Sequence, residues 1–209
     1  ILTPSSPEDY SNTDVSAFIV KLDSSGNYVW AKQHGGRPAG DSHTNSFLTV
    51  DNSGNVYTTG TYLSHEDNSV DFDPGPGTFN LPSTGGYSGD RSIYVLKLDT
   101  SGNFVWAKSV ASGPIETTFG VEFGLNHGSS IAFDGSGNVY TYGRCFGPVY
   151  FDTTSLLCNT NENFDPSAPY PPSGQSGANR YKYAPFLWKL DSAGNHVWTK
   201  TFFDTDDSV

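Results

Sequence analysis

Residues 93–108 read IYVLKLDTSGNFVWAK, and the last fourteen of them have two near-copies, IVKLDSSGNYVWAK at 19–32 and LWKLDSAGNHVWTK at 187–200. A unit that returns three times in 209 residues marks a repeat protein. In the central copy an apolar, β-rich run (Tyr94, Val95, Leu96, Leu98) meets Asp-Thr-Ser-Gly-Asn and then a second run, Phe104-Val105-Trp106. Asp99 can cap a turn by accepting from backbone N–H groups ahead of it, and Gly102 supplies the positive φ that closes a type I turn with a bulge. The unit is therefore expected to be a β-hairpin. Large side chains stand on both of its faces (Trp106 with Val105, Leu96 with Val95), so it should be covered on both sides by stacked sheets.

A second repeat alternates with the first: LTVDNSGNVYTTG at 48–60 and IAFDGSGNVYTYG at 131–143. It too is strand, turn, strand, which makes the whole repeat a four-stranded antiparallel meander. Five turns carry the motif, with Asp and Gly at Asp23/Gly26, Asp51/Gly54, Asp99/Gly102, Asp134/Gly137 and Asp191/Gly194. The period is long, 76 residues from Asp23 to Asp99 and 92 from Asp99 to Asp191. The excess falls between hairpins, in VDFDPGPGTFNLPSTGG at 70–86, VYFDTTSLLCN at 149–159 and a Pro/Asn/Ser/Gly-rich stretch at 160–182 expected to be a surface loop. No segment has the apolar spacing of a helix. The expected fold is all-β, with about two and a half meander blades: a half blade at 14–32 and blades at 46–108 and 129–200.

A tandem four-stranded meander is the blade of a β-propeller. FIVKLDSSGNYVWAK at 18–32, with VDNSGNVYTTG at 50–60, resembles the bacterial SBBP (seven-bladed β-propeller) repeat family. There, units ending in Lys-Leu-Asp-x-x-Gly-Asn-x-x-Trp alternate with Val-Asp-x-x-Gly-Asn-x-Tyr-x-x-Gly. The resemblance spans roughly half of the chain. It implies a secreted or cell-surface protein without catalytic residues, because the recurring positions are those of turns and core. Two departures stand out. The insertions exceed the family's short excursion, and the repeats start and stop in mid-blade. Either the remainder of a longer chain or self-association with neighbouring chains is expected to supply the missing strands.

The formal net charge of −11 and a pI near 4.6 argue against nucleic acid and anionic membrane as partners, and suit an extracellular setting. No apolar run reaches the length of a membrane span. Cys145 and Cys158 lie thirteen apart across an expected loop; the spacing allows a disulfide or two isolated thiols. Asp71 and Asp73, flanking Phe72 before Pro-Gly-Pro-Gly, are the candidate calcium ligands, since strand alternation would put both carboxylates on one face. Each Asp-x-x-Gly-Asn turn offers only one carboxylate and one Asn, and its Asp and Gly are explained by the turn itself.

Trp30, Trp106 and Trp198 share one repeat position and are expected in the blade core. The five histidines (34, 43, 65, 127 and 196) show no metal spacing and read as surface or loop residues. Gly40-Asp41-Ser42 lacks the context of a serine nucleophile. Tyr170, Tyr181 and Tyr183, in or beside the long loop, could meet glycan or protein. A structural or adhesive surface protein is the function these features favour. A glycan-binding module is the alternative. A hydrolytic propeller would need converging carboxylates or a His-metal cluster that the sequence does not display.

Overall fold

The structure, a computed structural model, describes residues 17–34, 46–63, 70–81, 91–112, 115–117, 120–122, 126–145, 147–151, 154–158 and 184–202. The expected loop at 160–182, with Gly40 to Ser42, His43, His65, Tyr170, Tyr181 and Tyr183, lies outside them.

All described elements are strands, paired antiparallel. β1 (Ala17–Leu22) and β2 (Tyr28–His34) form a hairpin. β3 (Phe47–Val50), β4 (Val56–Leu63), β5 (Arg91–Leu98) and β6 (Phe104–Ser112) form a first meander in chain order. β7 (Ile115–Thr117) and β8 (Gly120–Glu122) make a short ribbon. The second meander joins β9 (His127–Phe133), β10 (Val139–Cys145), β13 (Ala184–Leu190) and β14 (His196–Thr201).

Between Cys145 and Cys158, where a loop is expected, the chain forms strands instead. β11 (Gly147–Phe151) and β12 (Thr154–Cys158) form a hairpin that pairs with β6, extending the first meander's sheet to six strands. One meander thus lends a hairpin to the edge of the other. Val149 and Phe151 are fully buried, and Phe151 meets Phe186 and Trp188 edge-on at 5.5 and 5.6 Å.

β5 is buried on both faces, and its side chains divide between two cores. Ile93 and Val95 join Tyr57, Trp106, Phe186 and Trp188 between the two meanders. Tyr94, Leu96 and Leu98 join Ile19 of the hairpin and Phe72 of the 70–81 segment on the other side. The order is therefore hairpin, first meander, second meander. Close approach of the meanders depends on Gly128 of β9, where a Cβ would stand 2.8 Å from Thr59 Oγ1 and 3.0 Å from an Ile93 methyl. β13, by contrast, alternates buried and half-buried residues, because only one of its faces is covered.

Two further expectations are corrected. Val105 and its counterparts Val29 and Val197 do not pack opposite the tryptophans. Each is the extra residue of a β-bulge where the register shifts beside Lys97, Lys21 and Lys189, and each is left 45–47% exposed. His34 is no surface histidine. It is buried at the end of β2 between Phe72 and Tyr94, with ring centroids 6.0 and 5.4 Å away, and neither ring nitrogen has a hydrogen-bond partner among the described residues.

Burial pushes the His34 pKa down to about 4. An unfolded histidine titrates near 6.5, so on acidification the unfolded chain takes up this proton first. Stability is therefore expected to fall as pH drops from about 6.5 to about 4, by at most about 3 kcal/mol from this residue. Urea midpoints across that window should decline with falling pH, and His34→Phe should flatten the decline; an unchanged slope in the variant contradicts the assignment.

Candidate functional site

The five turns are built alike. In each, the Gly N–H donates to the Asp carbonyl at 2.9–3.0 Å and the Asp N–H donates to the Asn carbonyl at 2.9–3.0 Å. Gly26, Gly54, Gly102, Gly137 and Gly194 stand at φ of 82°, 85°, 77°, 79° and 84°, the left-handed region that costs other residues dearly. Asp99 Oδ1 accepts from the N–H groups of Ser101 and Asn103, both at 2.8 Å, and Oδ2 accepts from Asn103 Nδ2 at 2.9 Å. Asp23, Asp51, Asp134 and Asp191 repeat this pattern with Asn27, Asn55, Asn138 and Asn195.

These bonds favour the ionised carboxylate. Asn side-chain donors lead in lowering the pKa of Asp23, of Asp191 and of Asp134, the last to about 2; at Asp99 the Asn103 backbone leads. At Asp51 burial pushes upward and is outweighed by the bonds from Asn55 and Tyr57. The repeated carboxylates are thus committed to closing their own turns.

All five glycines have the positive φ their turn requires, but their surroundings differ. Gly54 and Gly137, in the second type of repeat, are half-buried and face no indole. A Cβ on Gly54 would stand 3.3 Å from the Thr100 methyl, and one on Gly137 would stand 3.4 Å from Ser192 Cβ. Each therefore lies beside the next turn of its own meander. Gly102 and Gly194, in the first type, are buried, and Gly26 is exposed. The motif fixes the turn, whereas the surroundings of each glycine depend on which sheet lies opposite.

A recurring contact then joins one sheet to the next. Lys21 Nζ and Trp30 Nε1 both donate to the Thr100 carbonyl, at 2.8 and 3.2 Å. The Trp30 indole and the Lys32 stem lie against Gly102, where a Cβ would come within 3.2 and 2.9 Å of them. The same clasp returns one sheet further on. Lys97 Nζ and Trp106 Nε1 donate to the Ser192 carbonyl at 3.2 and 3.4 Å, and the Trp106 ring would stand 2.8 Å from a Cβ on Gly194. One carbonyl has two lone pairs, so both donors are satisfied at once. Only glycine admits the indole, and the bulge at Val29 and Val105 is what turns each tryptophan to the lysine's side.

The tryptophans are accordingly less uniform than a shared core position implies. Trp106 is 9% exposed, whereas Trp30 and Trp198 are half-buried. Trp188, an outlier of its repeat, is buried between the meanders with its Nε1–H unpartnered among the described residues.

Asp71 and Asp73 are brought together by a turn. Asp71 Oδ1 accepts from the Asp73 and Phe79 N–H groups, both at 2.9 Å, and Asp73 Oδ1 accepts from Gly75 N–H at 2.7 Å. Phe72 is buried beneath, and Asp71 bridges to Asn80. This is a capped Pro-Gly turn. Two carboxylates, each with one oxygen already bonded to backbone, fall short of the six to eight oxygens calcium takes, and no group of three or more His, Cys, Asp or Glu side chains suited to a metal occurs among the described residues.

Cys145 is disulfide-bonded, and Cys158 is the chain's other cysteine.

Sequence inspection passed over the lysines. Lys21, Lys97 and Lys189 recur in all three copies within an otherwise apolar strand, and a charge repeated there needs an acceptor. The asparagine closing each turn had the same unexplained regularity.

Among the described residues Trp106 is seated on a turn and Trp198 is not, so truncating them should differ in cost. Trp106→Ala is expected to lose about 3–5 kcal/mol, and Trp198→Ala under about 1.5 kcal/mol. Urea unfolding of the two variants measures both, and equal losses would show that the seat contributes nothing. No family model matches the chain, and no curated protein is significantly similar to it.

Proposed function

We propose that this chain is a non-enzymatic structural or adhesive protein of the cell surface or extracellular space, built from β-propeller-type blades resembling SBBP repeats. One observation carries the proposal: the polar residues that recur are spent on architecture. Each turn Asp holds its own backbone and its Asn, while Lys21, Lys97, Trp30 and Trp106 hold the neighbouring sheet's turn. Repetition therefore serves stacking. A buried disulfide-bonded Cys145 suits an oxidising compartment. Variable segments between the hairpins are where partner contacts would lie.

A screen of glycoside and ester substrates, run beside a glycan array, tests this. The expected result is no turnover, with immunolabelling placing the protein on the outside of intact source cells. Turnover that is lost on replacing a single aspartate would overturn the proposal in favour of a hydrolase. Array binding that is lost with Tyr181→Ala would favour a glycan-binding module.

A further inference from the structure

The outer face of the second meander repeats, residue for residue, the face by which the first meander receives a turn. Tyr57 and Trp106 meet at 6.1 Å and 63°, with Lys97 Nζ 5.1 Å above the tyrosine ring. Tyr140 and Trp198 meet at 6.1 Å and 64°, with Lys189 Nζ 5.1 Å above the tyrosine. Tyr57 and Tyr140 each donate to their own turn aspartate, Asp51 and Asp134, at 3.1 and 2.9 Å. The first set holds the Ser192 carbonyl and Gly194; over the second, no further turn stands among the described residues. The socket is thus formed without an occupant among the described residues.

The complementary part sits at the other end of the stack. The Asp23–Asn27 turn has the same internal bonds as those that are clasped. Its glycine differs in one respect: nothing lies within 4 Å of a Cβ placed on Gly26, where Gly102 and Gly194 each face an indole. Beside it, Phe18, Val20 and Leu22 are 66%, 46% and 53% exposed. Their counterparts one repeat on, Tyr94, Leu96 and Leu98, are at most 3% exposed, and those two repeats on, Phe186, Trp188 and Leu190, at most 1%. The hairpin thus carries an open copy of the face that is covered twice inside the chain.

We infer that a second copy of this chain docks its β1–β2 hairpin onto the outer face of the second meander. The Ser24 carbonyl would meet Lys189 and Trp198, Gly26 the indole, and Phe18, Val20 and Leu22 the side of Leu187. Both halves of this contact already occur within one chain, which is what identifies the occupant. The two surfaces are different, so the contact is heterologous and propagates head to tail, into a ring or a filament according to the rotation per step. The inference rests on the proposed structural role and adds its partner.

Sedimentation of the full chain over a concentration series up to millimolar tests it, with two variants that block opposite ends. Lys189→Glu sets a negative charge against the arriving carbonyl. Gly26→Asn keeps a residue that tolerates positive φ; a Cβ there has nothing within 4 Å, and the side chain would fill the space of the partner's indole. The wild type should gain mass beyond one copy as concentration rises, and each variant should lose that gain while keeping the wild-type circular dichroism and Tm. Mixed in equal amounts, the two should recover a mass of two copies and no more, because one intact socket and one intact hairpin remain. Lys200→Glu, at an exposed position of the same face, replaces Lys189→Glu if that variant does not fold. A wild type that stays at one copy, variants that still assemble, or a mixture that does not pair would each overturn the inference. A single-copy wild type without enzymatic turnover sinks this inference alone, whereas turnover sinks the proposed function at any mass.

Discussion

The register between the sheets depends on a carbonyl oxygen beside a glycine. A β-turn that projects from one sheet presents a backbone acceptor, which desolvates at a cost unless it is met. Here an indole N–H and an ammonium meet it together, at Thr100 and again at Ser192. The glycine next to it has no side chain, so the indole lies flat where a Cβ would otherwise stand. Polar satisfaction and apolar contact thus coincide at one place, and that place fixes how far one sheet can slide over the next.

Apolar burial supplies most of the driving force, and the clasp supplies the register. Burying a large aliphatic side chain is worth about 1.5–3 kcal/mol, and β5 alone contributes Ile93, Val95, Leu96 and Leu98, all fully buried. Such contacts are tolerant of sliding. A directional bond to one carbonyl is not, and a lysine held on it cannot be moved one residue along without stranding a charge. The β11–β12 hairpin adds a second constraint, since it follows β10 in the chain and pairs with β6 of the other meander's sheet. Against these gains stand the ring nitrogens of His34 and the Trp188 Nε1–H, buried polar atoms without a partner among the described residues, which lower stability where they sit.

Much of the fold was legible because its information is local. Asp-x-x-Gly-Asn specifies a turn through bonds no more than four residues apart, and five copies in alternation specify meanders. What escaped inspection is non-local. The same motif puts Gly102 and Gly194 under an indole but Gly54 and Gly137 beside a neighbouring turn, a difference set by the opposing sheet and invisible in the motif. The bulges at Val29, Val105 and Val197 follow from how the strands realign after the turn, and no single residue type announces them. The pairing of β11 with β6 joins segments separated by the whole of β7 to β10, which spacing cannot foretell. Of the site, the tryptophans were visible as a repeat, but a shared core position does not say what an indole N–H bonds to. The acceptor they share with lysine lies 70 residues away for Trp30 and 86 for Trp106, beyond the reach of any motif. His34 looked like a loop residue because its burial is created by Phe72 and Tyr94, both distant in sequence.

The central claim is that the indole of one sheet lies on the turn glycine of the next. Proton chemical shifts of the glycines in a dilute sample measure this directly, because protons over the face of an indole are moved upfield by its ring current. The account predicts that the α-protons of Gly102 and Gly194 resonate well upfield of those of Gly26, and that Trp106→Ala returns Gly194 alone to the ordinary range. Three glycines with the same ordinary shifts, or a Gly194 unmoved by loss of Trp106, would contradict it.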